Sequence, residues 1–221
     1  NDSASTDFYS NPLVGSFCGV LETGLESNTT GGNNTAVGNH ALKTNTTGTE
    51  NVALGAFALQ DGTTGNENTA LGLSALQANT TGDRLAAFGS GALNANTTGS
   101  NNTACGQNAL AVNTTTSLHT ACGKSALEQN TSGYHNNAFG AYALDACTTG
   151  DYNTAMGTNA LTALTTSDYN TCFGKSSGSA ITTAAGNVCI GSDSGRETTG
   201  AYNVCIGHQA GGPQTASNSN A

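Results

Sequence analysis

With 221 residues, only 9% of them charged, 5% aromatic and no tryptophan, the chain lacks the large apolar side chains that a wide globular core requires. Five Lys and Arg in total leave no basic stripe to neutralise phosphates, which argues against nucleic acid as a partner; the net charge of -9 comes from that scarcity rather than from acidic runs. Disorder normally goes with high charge and no periodicity, whereas this chain combines low charge with strict periodicity, the pattern of a thin core repeated along one axis.

Residues 1–27 come first. The chain opens on Asn1, with no positive n-region leading into an apolar h-region, as expected of a processed secreted product or of a fragment. No stretch approaches the length of an apolar span, so membrane insertion is not expected. Asn11-Pro12-Leu13-Val14-Gly15 and Phe17-Cys18-Gly19 echo the repeat that follows, but at the wrong spacing. The segment is expected to cap the first coil or to reach as an arm to another subunit.

Residues 28–212 carry the repeat. Gly38, Gly55, Gly72, Gly89, Gly106, Gly123, Gly140, Gly157, Gly174 and Gly191 recur every 17 residues, and Gly207 follows after 16. The consensus is T-T-G-x-x-N-T-A-φ-G-x-x-A-L-x-x-N, with φ a large apolar residue or Cys. Apolar positions do not recur at three and four, and Gly with β-branched Thr at this density opposes helix. Each repeat reads instead as a short strand (N-T-A-φ), a glycine bend, a second extended piece around A-L, and a polar corner. A 17-residue coil has a contour of roughly 56 Å if fully extended, enough for one flattened turn. The expected fold is all-β: a parallel β-solenoid (β-roll or β-helix) of about eleven coils, on the order of 50 Å long.

Two columns in the strand are apolar. The residue before each glycine reads Val37, Leu54, Leu71, Phe88, Cys105, Cys122, Phe139, Met156, Phe173, Ile190, Ile206; the one before that is Ala from Ala36 to Ala155, then Cys172, Cys189 and Cys205. Neighbouring strand residues point to opposite faces, so one column lines the interior and the other needs a cover or must tolerate water. The alanines, with Ala70 and Ala87 as test positions, are expected to form an inter-subunit face. A Leu column runs from Leu42 to Leu161 and gives way to Gly178, Gly195 and Gly211, so the last coils are expected to be narrower. An Asn column from Asn34 to Asn203, interrupted by Leu85 and His119, suits an amide ladder.

The polar corner repeats the N-x-S/T acceptor pattern at Asn28, Asn45, Asn79, Asn96, Asn113 and Asn130, which makes these six candidates for glycosylation at one edge of the rod. Seven cysteines include Cys105 with Cys122, and Cys172 with Cys189 and Cys205, on successive coils; they read either as a column of buried free thiols or as disulfides. Cys18 is a candidate for a link between subunits. No C-x-x-C pair or His spacing suits a metal, and no paired carboxylates, phosphate loop or nucleophile motif occurs. The chain is therefore expected to be no enzyme and to need no cofactor. A Thr column, the pattern of an ice-binding face, is broken by Val52, Ala86, Asn137, Val188 and Val204. Residues 213–221 read as a flexible polar tail.

The strand-and-glycine core, Asn68-Thr69-Ala70-Leu71-Gly72 and the N-V-C-I-G of Asn187–Gly191 and Asn203–Gly207, resembles the repeats of trimeric autotransporter adhesin heads and of phage tail-fibre-like proteins. The resemblance spans about residues 28–212 and implies a trimeric β-roll that binds surfaces. Two features depart from it, the longer 17-residue period and the abundance of Cys. Uncapped coil ends suggest head-to-tail stacking. The expected function is thus that of a structural subunit of a self-assembling extracellular fibre, its partner being further copies of itself as homopolymer or homotrimer. The alternative is an adhesin or tail-fibre head that binds surface glycans or matrix.

Overall fold

The computed structural model describes residues 18–20 and 24–212. Among them the chain is an all-β parallel solenoid. Twelve strands of three residues each, from β1 (Cys18–Val20) and β2 (Thr35–Val37) to β11 (Val188–Ile190) and β12 (Val204–Ile206), form one parallel sheet in strict chain order. Each strand pairs with the next in register at an offset of 17, as in Ala87 with Ala104; the final pair, Val188 with Val204, has an offset of 16 and keeps the same alignment. The residues named as tail, 213–221, and most of the N-terminal segment, 1–17 and 21–23, lie outside the described residues.

The repeat begins earlier than residue 28. Cys18, Gly19 and Val20 stand opposite Thr35, Ala36 and Val37 in the sheet, and Leu25 joins the core. The spacing is that of every other coil, with Leu21 in place of the glycine. The echo of the repeat is therefore Cys18-Gly19-Val20, one residue later than Phe17-Cys18-Gly19.

The glycine column is imposed by backbone stacking. Repeat glycines have φ between 122° and 141°, and a β-carbon on Gly89 would lie 2.7 Å from the carbonyl carbon and oxygen of Gly106 in the next coil. Only glycine accepts both that torsion and that approach. After it the chain does not extend again. The residues around A-L form turns, and the column leucines adopt left-handed φ values of 48° to 53°. Such a torsion costs a non-glycine residue roughly 1–2 kcal/mol. It is held here because Leu42 and Leu59 donate their N–H groups to the carbonyls of Ala58 and Ala75 in the next coil (both 3.0 Å), while their side chains are buried.

These turns settle which strand face is inside. The core is a single narrow strip built from the strand alanines, the alanines three residues after each glycine, and the leucines that follow them. Ala70 and Ala87 are 0% exposed and contribute to that strip, so they form no lateral face. The large residues before each glycine point outward instead. Where the leucines end, the strand alanines become Cys172, Cys189 and Cys205: the thiol fills the space the leucine leaves, and a β-carbon on Gly178 would meet Cys172 Sγ at 2.6 Å.

Two polar columns tie the coils together. In the asparagine column from Asn34 to Asn187 each Oδ1 accepts the backbone N–H of the residue above it, as Asn34 does from Asn51 (3.0 Å). As far as Asn153, Nδ2 donates to a carbonyl of that next coil, as Asn51 does to Gly65 (2.8 Å), while Asn187 Nδ2 instead donates back to Asn170 Oδ1 (3.1 Å). Leu85 lacks both groups, yet its own N–H still bonds Asn68 Oδ1 at 3.0 Å. The corner threonines form the second spine: Thr46, Thr63 and Thr80 each donate Oγ1 to the threonine carbonyl one coil on, at 2.9 to 3.0 Å.

Candidate functional site

In each strand from β2 to β12 the first and third residues face solvent. The third-position column exposes Leu54, Phe88, Phe139, Met156, Phe173, Ile190 and Ile206, the last at 67%; the first-position column adds Val52 and Val204 among threonines. From Thr35 to Ile206 neither column contains a charged residue. Every row of the face has the same register, and its length is about ten strand spacings, or ~48 Å. Monomeric soluble proteins rarely leave an apolar strip of that size uncovered.

At the β12 edge the same register fixes what faces onward. In earlier rows the N–H of the first strand residue bonds the next coil (Val188 to the Asn203 carbonyl, 2.8 Å), and the carbonyl of the third accepts from the next glycine (Ile190 from Gly207, 2.8 Å). By that pattern the Val204 N–H and the Ile206 carbonyl point away from the stack. Among the described residues no strand lies beyond β12.

The six acceptor-pattern asparagines are not an exposed edge. Asn45, Asn79, Asn96, Asn113 and Asn130 are buried, and Asn28 is partly so. Each folds back over its own turn: Asn96 Nδ2 donates to the Gly99 carbonyl (3.0 Å) and to Asn79 Oδ1 in the neighbouring coil (2.9 Å). Asn28 makes the equivalent bond to Gly31 at 3.0 Å. An amide nitrogen engaged this way cannot carry a glycan in the folded chain. The sequence held a signal for this, since later coils place Cys147, Leu164 and Ile181 in the same slot.

The thiols of Cys105, Cys122, Cys147, Cys172, Cys189 and Cys205 are all free. In-register parallel strands bring Cα atoms within disulfide range but hold the β-carbons about 4.8 Å apart, beyond the ~3.8 Å that the bond prefers. Burial pushes the Cys147 thiol up to about 11 and raises Cys205; its hydrogen bond with Cys172 and then burial raise Cys189. Burial and the neighbouring Cys105 raise Cys122. Such groups stay protonated and poorly nucleophilic near neutrality. The side chain of Cys18 lies outside the described residues.

His119 sits in the asparagine spine as a neutral ring. Its Nδ1 accepts the Asn136 N–H (3.2 Å), and Nε2 lies 3.0 Å from Thr116 Oγ1, which in turn donates to Asn113 Oδ1. Thr116 stands where most coils have glycine, so the two exceptions fall in one coil and complete each other. Burial pulls the His119 pKa down to about 4. The carboxylates also serve the scaffold: Asp83 and Asp151 accept the N–H groups of Asn66 and Tyr134 one coil earlier, both at 2.7 Å. Among the described residues no cluster of three or more His, Cys, Asp or Glu is placed to hold a metal ion. No protein-family description, no curated protein and no solved structure matches this chain.

Proposed function

We propose that the chain is a structural subunit of a self-assembling extracellular fibre, with solenoids stacked head to tail. The observation that carries this reading is the translational identity of the coil-to-coil contact. Every row offers the next the same N–H and the same carbonyl, most add an Asn acceptor and a Thr hydroxyl donor, and β12 still presents the first two of these onward. A contact made by one end of a molecule on the other end of its copy is heterologous, and when the relation is a translation it propagates as a filament. Uniform burial of small side chains, carboxylates engaged by backbone N–H groups and protonated thiols support a scaffold rather than an enzyme.

Electron microscopy of the purified protein tests this. Filaments with an axial repeat near ~50 Å are expected. Val204→Pro removes the onward-facing N–H without removing a bond made within the stack, and should leave short rods. Single rods at high protein concentration would refute the fibre. Discrete trimers would instead favour a glycan-binding adhesin head.

A further inference from the structure

The outward apolar face is size-symmetric about its own midpoint. Counted outward from the gap between Cys105 and Cys122, the large column pairs Cys with Cys, Phe88 with Phe139, Leu71 with Met156, Leu54 with Phe173 and Val37 with Ile190, which leaves Ile206 beyond the fifth pair. In the companion column Thr103 matches Thr120, Thr69 matches Thr154, and Val52 and Thr35 fall opposite the near-isosteric Thr171 and Val188; Ala86 opposite Asn137 is the exception. A two-fold interface needs this property, because residue i must meet j while j meets i. A purely translational contact does not need it, and neither does a two-fold along the rod.

We infer that this face pairs with the same face of a second copy, the two rods running antiparallel about a two-fold axis that passes between the rows of Cys105 and Cys122. A strip three residues wide (~10 Å) and ten strand spacings long covers ~500 Å² per copy, or ~1,000 Å² in the pair. That reaches the lower range of specific interfaces. The strip carries no charge that would need a partner. Sheets packed face to face lie about 10 Å apart with their strands nearly aligned, and the unbroken register offers the same two columns to such a partner in every row. In the pair Phe88 of one copy faces Phe139 of the other, and the cysteines meet at the centre across a gap too wide for a disulfide. The inference does not depend on the fibre: it concerns the side of the rod, and the fibre concerns its ends.

The test is the number of rods in the cross-section. Sedimentation of the full chain should give twice 21.9 kDa, and Phe88→Glu with Phe139→Glu should give single chains with unchanged circular dichroism, since both side chains lie outside the core. Where filaments form, mass per length should fall by half in the double variant. A single rod in the wild type, a trimer, or a pair that survives both glutamates would overturn the proposal. Orientation is read by cross-linking with a bis-maleimide that spans about 10 Å, the sheet separation, after Cys18→Ser, Cys105→Ser and Cys122→Ser. Chains carrying Phe88→Cys should link to chains carrying Phe139→Cys. They should not link to each other, because that pair is offset by three rows, or ~14 Å. The reverse result would refute the antiparallel arrangement.

Discussion

Replacing His119 by Asn together with Thr116 by Gly restores the consensus at the one coil where the asparagine spine runs through an imidazole. The folded ring has a pKa of about 4, against 6.5 for a free one. Because the folded value is depressed, the unfolded chain binds more protons between these two pH values. The stabilisation is therefore complete above pH 6.5 and is lost as pH falls towards 4. The difference, at 1.36 kcal/mol per pH unit, is worth about 3 kcal/mol. Protonation at Nδ1 would also set N–H against N–H at Asn136. An Asn at this position has no such proton to take up. Its Oδ1 can accept from Asn136 and its Nδ2 can reach Gly133, as Asn102 Nδ2 reaches Thr116 at 2.8 Å. In a solenoid the loss is local, so amide exchange of residues 102–136 between pH 4 and 7 is the assay. Wild type should lose about 3 kcal/mol of protection in that window relative to the double variant. Equal pH dependence in the two proteins, or an imidazole resonance that titrates near 6.5, would refute the reasoning.

Three further outcomes are expected. Gly89→Ala places a β-carbon 2.7 Å from the Gly106 carbonyl at a φ of 133°, and should lower stability by about 3 kcal/mol or more in denaturant unfolding. Cys189→Ala and Gly195→Leu should each destabilise, one by a void and the other by overpacking, but together they rebuild the Ala155–Leu161 arrangement; a double-mutant cycle should show a favourable coupling of at least about 1 kcal/mol. Asn96→Ala strands the buried Gly99 carbonyl, while Asn79 Oδ1 keeps the Gly82 N–H, and should cost about 1–3 kcal/mol by the same unfolding assay; endoglycosidase treatment of protein from a eukaryotic host should leave the mass unchanged at Asn45, Asn79, Asn96, Asn113 and Asn130.

The period, the parallel stack and the Leu and Asn columns were legible because each is a column property, visible once the glycines are aligned. Which strand face is interior was not, since both columns are apolar and alternation alone has no sign. The sign comes from the left-handed turn at leucines such as Leu76, which folds the chain back onto the alanine side. Variation in size was the available clue. A narrow interior tolerates only one small residue type, as from Ala36 to Ala155, whereas a column that runs from Cys105 to Phe139 has no fixed space to fill. The corner asparagines misled for a related reason: the acceptor motif registers residue identity, while burial shows in what replaces Asn in other coils. The outward face, as a property of a pair of molecules, became readable only after the sign of the sheet was known.

The 16-residue step between Val188 and Val204 leaves the pairing of β11 with β12 in register, so the coil absorbs a lost residue at its corner without disturbing its neighbours. Whole coils are more separable still, each touching only the one before and the one after. Duplication or deletion of a coil therefore moves the rod's end by about 4.8 Å and leaves the backbone pairing between coils unchanged. Length in this molecule is a ruler with discrete graduations, which unequal recombination among near-identical repeats can reset in a single event.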